Sequence, residues 1–333
     1  MTTPRCIRPG RTWFVTRRTT RRHFLLRPDA DQTVQQIYWY TTAVIAAECG
    51  IELHAVQMLS THMHEVLTDV RGELPRFLQQ RNRLLANAIK SHRDWPEEVF
   101  ARAPTNCVAL YGVAAILKEI GYTLANCVEA GLVQHPSEWP GVTVSVNDIG
   151  QRVIRVARPD AYFDPDSARW PEVAELRIAM PKPLLEHYLD PMGARSVLRS
   201  AVDSAIRLAR AAAKAAGRVV QGAARLTRIS HHHQARSFEP FGKRVPSFAT
   251  GGDRAEAKTA KSERLAFLLL YRQAFERLRG GFRDVFFPDG TWRLHQELGF
   301  PCVATGTTSQ RRSELHSVGS TPSDPYSVGS PSG

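Results

Sequence analysis

The chain has 333 residues, a formal net charge of +12, 43% hydrophobic residues and 23% charged residues. A chain of this length buries a core without disulfide or metal staples, which excludes global disorder and a small secreted scaffold. The five cysteines, Cys6, Cys49, Cys107, Cys127 and Cys302, form no C-x-x-C pair. That excludes a zinc ribbon and predicts reduced thiols in a cytoplasm.

The apolar run at 265–270 is far too short for a membrane span, and the arginine-rich start has no apolar segment behind it to make a signal peptide. No membrane partner is expected. The positive charge is localised. Residues 1–28 hold eight arginines and no acid, and residues 195–244 hold eleven basic residues against Asp203 and Glu239. The blocks carry +8 and +9, so the remainder of the chain sums to 12 − 17 = −5. Two basic blocks on a mildly acidic body point to a polyanion, most simply nucleic acid.

In chain order, residues 12–19 are rich in β-branched and aromatic side chains and predict a strand. Pro28-Asp-Ala-Asp31 opens a helix whose apolar positions, Val34, Ile37, Tyr38, Val44 and Ile45, recur at helical spacing until Gly50. Residues 51–58 and 62–69 predict a hairpin turning at 59–61. A helix over 73–92 carries the stripe Leu74, Phe77, Leu78, Leu84, Leu85, Ala88 and Ile89. A short strand at 107–110 precedes a third helix with Val113, Ile116, Leu117, Ile120 and Leu124, closing near Gly131.

This β-α-β-β-α-β-α order predicts an α+β fold: a ferredoxin-like antiparallel sheet with helices on one face, followed by a mainly helical extension. The expected domains are 1–150, a basic extension over 151–303 and a disordered Ser/Gly/Pro-rich tail over 304–333. Within the extension, 151–157 predicts a strand and 159–183 an irregular stretch. Residues 196–218 predict an Ala-rich helix with Arg199, Arg207, Arg210, Lys214 and Arg218 on one face and Val197, Leu198, Ala201, Ala205 and Leu208 on another. His231-His232-His233 predicts a solvated loop, and Gly251-Gly252 a linker.

Two features carry chemistry. Strand alternation puts His62 and His64 on the same face, where two neutral imidazoles can share a divalent metal. Tyr122 and Asn126 are four residues apart on the third helix and share its polar side. Alone, each is better read as ordinary packing. Together with Arg8-Pro-Gly-Arg-Thr-Trp-Phe-Val-Thr-Arg-Arg-Thr19, the phrases Ser60-Thr-His-Met-His-Glu-Val-Leu-Thr-Asp69 and Tyr122-Thr-Leu-Ala-Asn-Cys-Val-Glu-Ala-Gly-Leu-Val133 resemble the REP-associated tyrosine transposases. These are chromosomal relatives of the small single-strand transposases with an H-x-H motif. The resemblance covers roughly residues 8–145.

The resemblance implies metal-dependent cleavage and rejoining of single-stranded DNA through a 5′-phosphotyrosine. Tyr122 would be the nucleophile, and His62, His64 and Asn126 the ligands of Mg²⁺ or Mn²⁺. The partner would be single-stranded or hairpin DNA, the protein a monomer or homodimer, and its place the cytoplasm, at the nucleoid. Arg11, Arg17, Arg18, Arg21 and Arg22, on and around the first strand, are the expected phosphate contacts, with Trp13, Phe14 and His23 as candidates to stack on bases. Lys118, one turn before Tyr122, is placed to ease the tyrosine's deprotonation. Thr61, Glu65 and Cys127 depart from the family pattern. The competing readings are a hairpin-binding protein that no longer cuts, and an unrelated hydrolase adding His54 or Asp69 to the histidine pair.

Overall fold

The structure is a computed structural model, which describes residues 4–236 and 246–303. Among the described residues there are two compact units, one within residues 7–263 and one that combines the start of the chain with residues from 264 onward. The expected tail over 304–333 lies outside the described residues.

The larger unit is built on strands β1 (Arg11–Arg18), β2 (Ile51–Met58), β3 (His62–Asp69) and β4 (Asn106–Leu110), with helices α1 (Thr33–Cys49), α2 (Leu74–Arg93) and α3 (Gly112–Glu129) between and after them. The sheet order is β2-β3-β1-β4, antiparallel at each pairing. A two-residue strand, β7 (Phe248–Ala249), extends it in parallel beside β4. It follows β5 (Val153–Ala157), β6 (Val173–Arg177), α4 (Lys182–Tyr188), α5 (Pro191–Ala215) and α6 (Ala223–Leu226). The mixed α+β class and the mainly antiparallel sheet agree with expectation. β6 falls inside the stretch read as irregular; Val173 to Arg177 alternate exposed and buried and pair with β5.

The helices are not on one face. Adjacent β3 residues point oppositely, and both sides are covered. Glu65 meets Tyr38 of α1 and Arg81 of α2, whereas His64 meets Tyr122 of α3. Helical periodicity reveals a stripe to be buried but not which sheet face buries it. β3 itself is buried at all but its first residue, the pattern of a strand covered on both sides.

The extension packs onto this core. Ala179 N–H donates to Leu53 carbonyl (2.8 Å), Gln36 to Ala157 carbonyl (3.1 Å), and Tyr40 hydroxyl to Pro171 carbonyl (2.6 Å). α5 lies along α3 and buries Ala194, Leu198, Val202, Ile206, Ala209 and Ala213. Leu208, expected on the apolar face, is 69% exposed, because the buried stripe steps through Ile206 and Ala209 instead. The helices come close at Gly121: a Cβ there would sit 3.1 Å from Ala205 Cβ and 3.3 Å from Ala201 oxygen. These contacts carry the compact unit through residue 150, the boundary expected from composition, to residue 263. Gly121→Val is expected to destabilise by about 1–3 kcal/mol through overpacking, read as a lower urea midpoint.

The second unit contains the later part of α7 (Arg254–Arg279), β8 (Phe287–Pro288), α8 (Trp292–Gln296) and β9 (Cys302–Val303), packed around Ala274, Val285 and Phe287. No helix among the described residues is long and apolar enough to cross a membrane.

His54 and Asp69 have structural work. Asp69 accepts from the N–H groups of Glu73 (2.8 Å) and Leu74 (2.9 Å), capping α2. His54 sits where the β2–β3 register shifts, bonded to Ala179 carbonyl and Thr68 hydroxyl, both at 2.8 Å. Burial pushes its imidazole down to about 4. A depressed folded-state value stabilises the protein fully above the unfolded value, and that stability is lost as pH falls towards the folded one. Stability should therefore drop between about pH 6.5 and 4, by up to roughly 3 kcal/mol from this residue. Urea denaturation across that range should show a shallower pH dependence in His54→Gln.

Candidate active site

The hairpin turn sets the histidine pair. Leu59 N–H donates to His62 carbonyl (2.8 Å), starting β3 at His62. From there alternation puts His62 and His64 on the α3 side, as the sequence predicts. Their ring centroids are 4.8 Å apart and nearly perpendicular. In the antiparallel register Arg18 stands opposite His62, and Thr16 and Gln57 flank His64 from either side.

Each imidazole is oriented by a threonine. Thr61 hydroxyl is 2.9 Å from His62 Nδ1, and Thr16 hydroxyl is 3.0 Å from His64 Nδ1. With Nδ1 engaged, Nε2 is the nitrogen each ring offers to a ligand. His64 is 5% exposed. Burial, and then the charges of His62 and Arg18, hold its imidazole well below the usual range, so it is neutral and able to ligate at neutral pH. Phe14 stacks on His64 with centroids 5.4 Å apart and planes within 8°.

Tyr122 reaches this face from α3. Its ring stands edge-on to His64 at 5.4 Å and to Phe14 at 5.8 Å, and the residue is 37% exposed. A half-open phenol against an imidazole pair is accessible to a substrate while its ring is held. Asn126, one turn on, is buried, and its Oδ1 has no hydrogen-bond partner. An orphaned buried carbonyl oxygen is costly unless something supplies positive charge or a proton. Two imidazoles and an amide oxygen are donor types that suit a borderline or hard divalent cation such as Mg²⁺ or Mn²⁺. Among the described residues, no three His, Cys, Asp or Glu side chains gather as a metal cluster. The candidate donors are the two imidazoles and the Asn126 amide oxygen.

The three departures have distinct places. Thr61 orients His62. Glu65 faces away, ion-paired with Arg81. Cys127 is buried, and burial pushes its thiol up to about 12, leaving it unreactive at neutral pH. Lys118 is exposed on α3.

The candidate DNA-contact arginines separate. Arg18 lies on the histidine face and is exposed, and Arg21 is exposed in the turn after β1, with Arg22 half-buried beside it. Arg11 is held by Glu263 (3.0 Å) over the ring of Tyr111, and Arg17 donates to Ala103 carbonyl (2.5 Å) beside Phe100, on the opposite sheet face. Trp13 and Phe14 are 2% and 9% exposed, so both pack inside rather than standing ready for bases. Burial on both sheet faces is the reason, since alternation alone would leave one of the pair outside. Thr16 and Gln57 were not legible as site residues, because only strand register brings them beside His64.

No protein-family model and no curated protein sequence matches the chain. Among solved structures it is similar to a REP-associated tyrosine transposase bound to a REP hairpin, at 20% identity over 44% of this chain and 84% of that one, with a TM-score of 0.37. It is also similar to a chain from Deinococcus radiodurans R1 described as a transposase, at 17% identity over 32% of this chain and 85% of that one, with a TM-score of 0.26. Both likenesses are loose and partial.

Proposed function

We propose that this protein cuts and rejoins single-stranded DNA at hairpin-forming repeats by metal-dependent transesterification, on a sheet of ferredoxin-like type. The observation that carries the reading is the phenol of Tyr122 standing against His64, the inner member of a same-face histidine pair whose Nδ1 atoms are both engaged by threonines. Tyr122 Oη attacks the backbone phosphorus as its proton leaves. A Tyr–O–P bond forms, the P–O3′ bond breaks, and the departing 3′ oxygen takes up a proton. The exchange of one ester for another retains the bond energy, so the reverse step rejoins strands without a nucleotide cofactor. His62, His64 and Asn126 would hold Mg²⁺ or Mn²⁺, which supplies polarisation of the phosphate and stabilisation of the leaving oxygen. Arg18, opposite His62, is placed to steady the phosphate charge.

The test is a denaturing gel with labelled hairpin DNA from repeats flanking the source gene, Mn²⁺ or Mg²⁺, and parallel lanes with EDTA and with Tyr122→Phe. An adduct lost in both control lanes supports the reading. Tight hairpin binding without any adduct would replace it with a non-cleaving binding protein. A finer expectation concerns Thr16. Thr16→Val removes the hydroxyl that orients His64 and should weaken Mn²⁺ affinity about 10- to 100-fold, measured by calorimetry, with the far-ultraviolet spectrum unchanged.

A further inference from the structure

The two basic blocks meet. Segment 225–236 of the extension runs beside the turn that leaves β1. Arg27 Nη1 donates to Thr227 carbonyl (2.9 Å), Phe24 N–H to His233 carbonyl (2.9 Å) and Ala235 N–H to Arg22 carbonyl (3.1 Å). His23 is clasped from both sides: its Nδ1 donates to His232 carbonyl (3.1 Å), and Gln234 Nε2 donates to its Nε2 (2.8 Å). Trp95 closes the contact, with its ring 4.8 Å from His23 and 5.5 Å from His232. The triple-histidine segment is an irregular loop with His232 and His233 exposed, as expected, and its backbone is docked on this turn.

This docking joins two basic segments. Arg225, Arg228 and Arg236 are exposed on one side, and Arg21 on the other. No acid occurs between Asp203 and Glu239, nor before Asp29. Asp29 is already held by Arg27 (2.8 Å), His92 (2.8 Å) and Arg93 (2.6 Å). The backbone between is strained as well: Arg21 and Arg22 are consecutive left-handed residues, at φ 44° and 58°. Residues bearing a Cβ avoid this region, and it persists where surrounding contacts impose it. Here Ala235 bonds the carbonyl of Arg22 itself. The turn also starts at the candidate site: Arg18 is opposite His62, and Thr19 N–H donates to Thr61 carbonyl (2.9 Å).

We propose that segment 225–236 and the Arg21–Arg22 turn form one phosphate-binding surface for the nucleic-acid strand that leaves the candidate site, with the docked segment holding the turn in place. This rests on the DNA reading above. Both docked segments carry exposed arginines, and a DNA backbone offers phosphates at regular spacing along both.

The test uses full-length protein in EDTA, so that no cutting is needed, and fluorescence anisotropy with a labelled hairpin carrying a single-stranded flank. Kd is measured from low to high NaCl. Arg228→Ala with Arg236→Ala should reduce the slope of log Kd against log salt by about 1.4, near 0.7 per lost phosphate contact on a single strand. Ala235→Pro keeps every arginine but removes the N–H that holds Arg22, and should also lower the slope. Thermal melts establish that both variants fold. An unchanged slope in the double variant overturns the surface, and an unchanged slope in Ala235→Pro overturns the holding role. Weakened binding to heparin with DNA binding intact would assign the patch to another polyanion and also overturn it. Adduct formation with wild-type slopes in both variants would sink this inference alone. Lowered slopes without any adduct would sink only the cleavage reading.

Discussion

Tyr122→Phe is expected to abolish the covalent protein–DNA adduct and to lower strand cleavage by at least about four orders of magnitude, while stability changes by less than ~1 kcal/mol. The chemistry requires an oxygen that can bond to phosphorus, and a phenyl ring has none. Water is the remaining nucleophile at such a site, and it would leave a hydrolysed strand with no protein attached. The fold should tolerate the change, because the ring makes the packing contacts. Its edge-on approaches to His64 at 5.4 Å and Phe14 at 5.8 Å involve atoms that phenylalanine also has. Single-turnover cleavage on a denaturing gel, beside a urea titration, separates the two effects. Undiminished cutting by the variant would remove Tyr122 from the reaction.

The second large effect is structural and lies on the other side of the same strand. Arg81→Leu should destabilise the protein by about 3–5 kcal/mol, a large part of the stability usual for a domain. Arg81 and Glu65 are fully buried and joined by two hydrogen bonds of 2.7 Å. Tyr38 hydroxyl adds a third bond to Glu65, at 2.5 Å. Burial and the neighbouring carboxylate push the Tyr38 phenol well above its ordinary range, so it remains a neutral donor. Removing the guanidinium leaves a carboxylate in the core with one hydroxyl for company. Removing both charges, in Glu65→Leu with Arg81→Leu, should recover most of the loss, since an apolar pair has no desolvation penalty to offset. Urea midpoints of the single and double variants give the coupling. A double variant as unstable as Arg81→Leu would refute this account.

Glu65 shows what reading the chain alone leaves open. A carboxylate inside the strand that bears the histidine pair invites a role in the site. Alternation assigns it to the opposite face, and the structure supplies its partners, sixteen residues away at Arg81 and twenty-seven away at Tyr38. The basic blocks teach the same point. Their charge was countable along the chain. Their meeting at His23, Trp95 and His232 depends on contacts across more than two hundred residues, which no local pattern encodes.

Local rules were enough for the elements that carry the candidate site. Helical spacing bounded α1, which closes at Gly50 in the left-handed conformation a glycine adopts at no steric cost. Period-two alternation put His62 and His64 on one face, and a four-residue step put Tyr122 and Asn126 on one side of α3. These relations depend on backbone geometry within one element, so sequence by itself determines them. Which sheet face α3 covers, which threonine orients each imidazole, and which arginines are consumed by Glu263 or Ala103 were decided only by tertiary structure. The reason is physical: register and layer packing are settled by the burial of distant apolar surfaces against one another, and such pairings leave no periodic trace in either partner alone.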